Sequence, residues 1–139
     1  MPEAEIKLDN LSKCLEEAYL LYFNTRKDIK LNLIKPENDI YFHFDTLQIS
    51  RCFNNLIKNA IEAVEKIPNP AVEVLMATDA KNIKIEIKDN GVGIDEKMLS
   101  KIFEPYFTTK TKGTGLGLSI VKRIIEDHGG KIKIEKNKN

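Results

Sequence analysis

The segment from Thr46 to Ile67 constrains this chain more than any other. Leu47, Phe53, Leu56, Ile57, Ala60, Ile61 and Val64 recur at three- and four-residue steps and mark one broad apolar stripe along a helix of about six turns. Asp45-Thr-Leu-Gln48 has the Asp-x-x-Gln form of a capping box at its start, and Pro68 and Pro70 stop it at the other end. A helix that is apolar on one face must bury that face against another layer, so the question becomes what covers it.

The candidates lie on both sides. Asp9 to Asn24 carries Leu11, Leu15, Ala18, Tyr19 and Tyr22 at helical spacing, with Asp9 or Asn10 placed to cap it. Ile29, Leu31 and Leu33 alternate with polar residues and predict a strand. Pro36-Glu-Asn-Asp39 then turns the chain into a second strand, Ile40 to Phe44. Val72 to Thr78 and Ile83 to Asp89 follow the long helix as neighbouring strands, the second with Ile83, Ile85 and Ile87 alternating against Lys84, Glu86 and Lys88. Asp95 caps a short helix to about Ile102, Leu116 to Asp127 is apolar at helical spacing with Gly129 as its stop, and Lys131 to Glu135 alternates as a last strand. Helices and strands do not alternate strictly, which disfavours a doubly wound parallel sheet. The expectation is an α+β fold, a two-layer sandwich with helices packed on one face of a mixed sheet.

Composition narrows the function. The 139 residues fit a single domain, and 22 basic against 21 acidic residues give a net charge of +1, with only a mildly basic tail from Lys131 to Lys138. Nucleic acid is not a favoured partner, and any bound anion must be held by a local arrangement. Cys14 and Cys52 lack metal spacing and fall in apolar segments, as buried reduced thiols do. No signal peptide is evident and no apolar run approaches a bilayer span, so the domain is expected in the cytoplasm, without direct membrane contact, whether or not the full-length protein is anchored.

Three polar features stand out against this frame. Asn55 and Asn59 are four apart on one face of the long helix, either a solvated face or a polar site beside the core; an amide oxygen is a suitable neutral ligand for Mg²⁺. Asp89-Asn-Gly-Val-Gly93 follows a strand and is either a simple turn or a place where glycines admit a flat ligand and a carboxylate meets its exocyclic amine. Lys110-Thr-Lys-Gly-Thr-Gly-Leu-Gly-Leu118 precedes a helix, where Gly115, Leu116 and Gly117 can offer backbone N–H groups to phosphate and Lys110 and Lys112 add charge; a flexible hinge is the other reading. It follows a loop and lacks the Gly-x4-Gly-Lys pattern, so neither a Rossmann turn nor a P-loop fits.

Taken in order, Asn55-Leu-Ile-Lys-Asn59-Ala60, Asp89-Asn-Gly-Val-Gly93, Phe103-Glu-Pro-Tyr-Phe107 and Gly113-Thr-Gly-Leu-Gly117 resemble the N, G1, F and G2 boxes of the ATP-binding domain of sensor histidine kinases. That domain belongs to the superfamily shared with DNA gyrase, the ninety-kilodalton heat-shock chaperones and the mismatch-repair ATPases. The resemblance runs from about Leu47 to Glu135, and "FEPYFTTKTKGTGLGLSIVKRIIEDHGG" is most similar to kinases of the nitrogen-regulation type.

The resemblance implies a Bergerat-type ATP-binding fold and a set of roles. Asn59 would be the Mg²⁺ ligand and Asn55 the second polar position near the phosphates, with Lys110 joining them as a catalytic candidate. Asp89 would read the adenine amino group over a floor shaped by Gly91 and Gly93. Phe103 and Phe107 would belong to the F box, Thr108 to Lys112, with Thr109 and Lys110, to a mobile lid, and Gly113, Thr114, Gly115, Leu116 and Gly117 to the phosphate side. The implied cofactors are ATP and Mg²⁺, and the implied partners are a histidine-containing dimerisation domain and, indirectly, a response regulator. Hydrolytic relatives carry glutamate at the position of Asn55, and an amide cannot take a proton from water. His43, on a strand, and His128, at a helix end, do not resemble the family's acceptor histidine, so an excised catalytic module lacking that domain and the family's final strand is expected.

Overall fold

The long helix forms as α2, Thr46–Val64, with Asp45 as its cap: the Asp45 carboxylate accepts from the Gln48 backbone N–H at 3.0 Å. The reciprocal half of the capping box is not made, because Gln48 Oε1 has no hydrogen-bond partner among the described residues. Asp45 instead uses its other oxygen to accept from the Glu5 N–H at 2.7 Å, joining a distant segment to the helix start. The buried face is Ile49, Cys52, Phe53, Ile57, Ala60, Ile61 and Val64. Leu47, expected in the stripe, is 83% exposed. It sits in the first turn, where Ile49 takes the inward direction. The helix ends three residues short of Ile67, in a turn that leads to Pro68.

The computed structural model describes residues 3–105 and 117–135. They fall in two compact units, Met1–Gly91 and Val92–Asn139. In the first, β1 (Lys7–Asn10) leads into α1 (Leu11–Thr25), followed by β2 (Lys30–Ile34), β3 (Tyr41–Phe44), α2, β4 (Ala71–Thr78) and β5 (Ile83–Asp89). The sheet order β2-β4-β5 is mixed: β2 runs parallel to β4, whereas β4 and β5 are antiparallel with Val74 opposite Ile87. Helix α2 packs on β4 and β5 and on α1, so the inward row of β4, Val72, Val74 and Met76, is almost fully buried. At about 25 cal/mol per Å² of apolar surface, such rows are the main source of stability.

β1 and β3 form a separate antiparallel pair, with Leu8 opposite His43. This corrects the expected start of the first helix: Asp9 lies in β1, and Asn10 is the cap, accepting from the Lys13 N–H at 2.9 Å. The two strands flanking Pro36 do not pair with each other. His43 is exposed on β3. Ser12, 1% exposed, ties the layers together by accepting from Ile40 N–H at 2.8 Å and lying 3.7 Å from the Met76 sulfur. The Tyr19 hydroxyl donates to the Leu31 carbonyl at 2.9 Å, fixing α1 to β2.

The second unit holds α3 (Glu96–Leu99), capped by Asp95, and α4 (Gly117–Asp127). α3 is shorter than expected and continues as turns through Glu104. α4 stops as its sequence implies: Gly129 has φ +78°, its N–H donates to Glu126 O at 3.0 Å, and Gly130 N–H donates to Ile125 O at 2.9 Å, the paired bonds of a Schellman stop. His128 Nδ1 lies 2.7 Å from the Ile124 carbonyl. Residues 131–135 keep alternating exposure but are not a strand, because they have no ladder partner among the described residues. No helix among the described residues is long and apolar enough to cross a membrane.

Candidate functional site

Asn55 and Asn59 stand one turn apart on α2, both half-buried, at the margin of the stripe that packs on the sheet. The Asn59 amide nitrogen donates to Asn55 Oδ1 at 3.0 Å. That bond orients both amides: Asn59 commits its donor end to Asn55, and its carbonyl oxygen lies on the opposite edge of the amide plane. The α-helical spacing brings the pair together, as the sequence implies.

Asp89 is the last residue of β5 and is half-buried. Its Oδ1 accepts from the Gly91 N–H at 2.9 Å, which fixes the carboxylate against the turn that follows. Gly91 is there for space rather than for an unusual φ: a Cβ at this position would sit 2.6 Å from the Ala63 carbonyl oxygen of α2. Since α2 packs on β5, Asp89 and the Asn55–Asn59 pair are held by two elements in direct contact.

Sequence reasoning passed over Asn90. Its backbone N–H donates to Ala71 O at 3.2 Å, its side-chain Oδ1 accepts from Ala71 N–H at 2.8 Å, and its Nδ2 donates to Asn69 O at 2.8 Å. Asn69 has φ +53°, a left-handed conformation that asparagine tolerates better than most residues. The signal available in the sequence was the Asn of Asp-Asn-Gly facing a Pro-Asn-Pro turn.

In the second unit, Gly93 has φ +80°, which a side chain would strain, and Phe103 is half-buried in the turns after α3. Gly117 is the first residue of α4. Phe107, Thr108, Thr109, Lys110, Lys112, Gly113, Thr114, Gly115 and Leu116 lie outside the described residues.

The family model for histidine kinase-, DNA gyrase B-, and HSP90-like ATPases matches residues 44–139. The chain belongs to this family. Within it, the chain is 41% identical to Sporulation kinase A of Bacillus subtilis (strain 168) over 129 residues, covering 91% of this chain and 21% of that protein. It is 40% identical over 96 residues to Nitrogen regulation protein NtrY of Azorhizobium caulinodans, covering 66% of this chain and 12% of that one. The chain thus spans about a fifth or less of the length of these curated relatives. The nucleotide-free catalytic domain of histidine kinase ThkA superposes with a TM-score of 0.86 at 35% identity, covering 97% of this chain and 91% of that one. ThkA in complex with response regulator protein TrrA matches with a TM-score of 0.81 at 30% identity, over 96% of this chain and 39% of that one. The α+β architecture expected from the element order is therefore that of a histidine-kinase catalytic ATPase domain, and NtrY among the relatives agrees with the nitrogen-regulation likeness.

Proposed function

We propose that this chain is a single Mg²⁺–ATP-binding catalytic module of a two-component sensor kinase, which donates the ATP γ-phosphate to a histidine on a separate dimerisation domain. The observation that carries it is the pairing of Asn59 with Asn55 on a helix that also packs against the strand ending in Asp89. One polar end suits the phosphates and the other suits the base. Asp89, with its orientation set by Gly91, accepts from the adenine amino group.

The donor set agrees with Mg²⁺. No group of three His, Cys, Asp or Glu side chains converges to hold a metal among the described residues, and Mg²⁺ is commonly bound through one or two protein oxygens with substrate phosphates and water supplying the rest. Asn59 would hold the ion through its amide oxygen, and the bound ion supplies charge neutralisation at the phosphates. Asn55 orients Asn59 and has no basic group with which to activate water, so ATP waits for an acceptor. By the family resemblance, Lys110 and Gly113 to Gly117 would supply charge and backbone donors to the phosphates. The protein's share of the chemistry is positioning and electrostatic stabilisation. The ThkA–TrrA complex supports a response regulator as the downstream acceptor.

Mixing the chain with a separately prepared histidine-containing dimerisation domain and γ-labelled ATP tests the proposal. Acid-labile, alkali-stable label on the added domain is the expected result. Acid-stable label on serine, or rapid phosphate release without any added domain, would replace it with a serine kinase or a self-contained ATPase.

A further inference from the structure

The end of β5 poses a structural problem that Asn90 solves. In the β4–β5 ladder Val72 stands opposite Asp89, so the next facing residues are Ala71 and Asn90, the last pair before Pro70, whose carbonyl accepts from Lys30 N–H of β2 instead. The ladder ends here, beside the residue that meets the base. Asn90 ends it without leaving a donor unpaired. Its own N–H still bonds to Ala71 O, but the return bond from Ala71 N–H goes to the side-chain Oδ1 instead of the backbone carbonyl of Asn90.

This substitution has a consequence one residue on. With its carbonyl released from the ladder, the backbone turns so that Gly91 closes on Ala63 of α2 and directs its N–H to Asp89 Oδ1. The remaining amide hydrogen bond, from Asn90 Nδ2 to Asn69 O, pins the turn between Pro68 and Pro70 to the same point. The orientation of the Asp89 carboxylate thus depends on the 90–91 backbone, which depends on the Asn90 side chain.

We infer that Asn90 is a positioning residue for base recognition, setting the preference for a 6-amino over a 6-oxo purine nucleotide through Asp89 while touching no ligand itself; this depends on Asp89 being the adenine partner, as proposed above. A site built to accept from an amino group rejects the analogue that lacks it, provided the acceptor is held in place.

The test compares equilibrium binding of ATP and ITP to the unmutated chain, Asp89→Ala, Asn90→Ala, Asn90→Asp and Ile49→Val, with a thermal melt of each. Asn90→Ala should reduce the ATP-over-ITP preference by about fivefold to tenfold, the worth of one or two ordinary hydrogen bonds, chiefly through weaker ATP binding. Asn90→Asp, which keeps an acceptor for Ala71 but sets a carboxylate against Asn69 O, should fall between Asn90→Ala and the unmutated chain. It carries the comparison should Asn90→Ala not fold. Ile49→Val, a core change on the buried face of α2, should lower the melting temperature and leave the preference intact.

Wild-type preference in a folded Asn90→Ala or Asn90→Asp chain, together with its loss in Asp89→Ala, overturns the role of Asn90 alone. No preference in the unmutated chain, or its retention in Asp89→Ala, overturns the adenine reading and the role of Asn90 with it. An equal loss of preference in Ile49→Val reduces Asn90 to a general stabiliser and also overturns its role.

Discussion

At the scale of single residues, the site is organised by atoms that leave room as much as by atoms that bind. Gly91 is the clearest case. Its neighbour is the Ala63 backbone carbonyl in the last turn of α2, which cannot swing aside as a side chain could. Gly91→Ala should therefore cost about 1–3 kcal/mol, the usual range for forcing atoms into a packed contact. A lower urea midpoint with an unchanged slope would bear this out, and an unchanged midpoint would show that β5 can move off α2 freely. Asn55 and Asn59 illustrate the opposite economy: one hydrogen bond between two neutral amides orients both without placing a charge beside the core.

At the scale of elements, α1 and α2 pack on each other, and each carries a buried cysteine. Burial pushes the Cys52 thiol from the ordinary 9.0 up to about 12, and burial likewise raises Cys14, whose sulfur lies 3.2 Å from the Ser50 hydroxyl. The folded protein therefore keeps the neutral thiol where the unfolded chain has lost its proton. Stability from this source is fully present below about pH 9 and is lost as pH rises towards 12. Urea unfolding from pH 8 to pH 11 should show an alkaline decline that is shallower in Cys52→Ala. An equal decline in both proteins would assign it to other groups. Both thiols should also resist alkylation at neutral pH until denaturant opens the helix pair.

At the scale of the whole molecule, the chain carries Asn55, Asn59, Asp89 and Gly91 in its first unit and Gly93, Phe103 and Gly117 in its second. Nucleotide binding should appear as a gain in the stability of the folded state. A ligand at a hundred times its Kd adds about 2.7 kcal/mol, so ATP with Mg²⁺ should raise the melting temperature clearly, and ATP with a chelator should raise it much less. In Asn59→Ala the increment due to Mg²⁺ should largely vanish while the melt without ligand stays close to that of the unmutated chain. Equal shifts with and without Mg²⁺ in the unmutated protein would remove Asn59 from the metal site.

The sequence alone determined what is local or strictly ordered. Helical spacing and caps marked α1, α2 and α4, clean alternation marked β5, the Gly129 stop was visible as a glycine after the last apolar turn, and four boxes in order indicated the family. Tertiary structure decided what depends on a partner far along the chain. Lys7-Leu-Asp-Asn10 becomes a strand only because β3 lies beside it, whereas Lys131 to Glu135, with the better alternation, has no ladder neighbour among the described residues. Leu47 points outward and Ile49 inward because the direction of the stripe is set by the sheet that α2 covers. The parallel pairing of β2 with β4 and the bonds from Asn90 to Asn69 and Ala71 join residues about 20 to 40 positions apart. Periodicity reports how a segment would like to fold by itself; hydrogen-bond partners across the chain are chosen only when the layers meet.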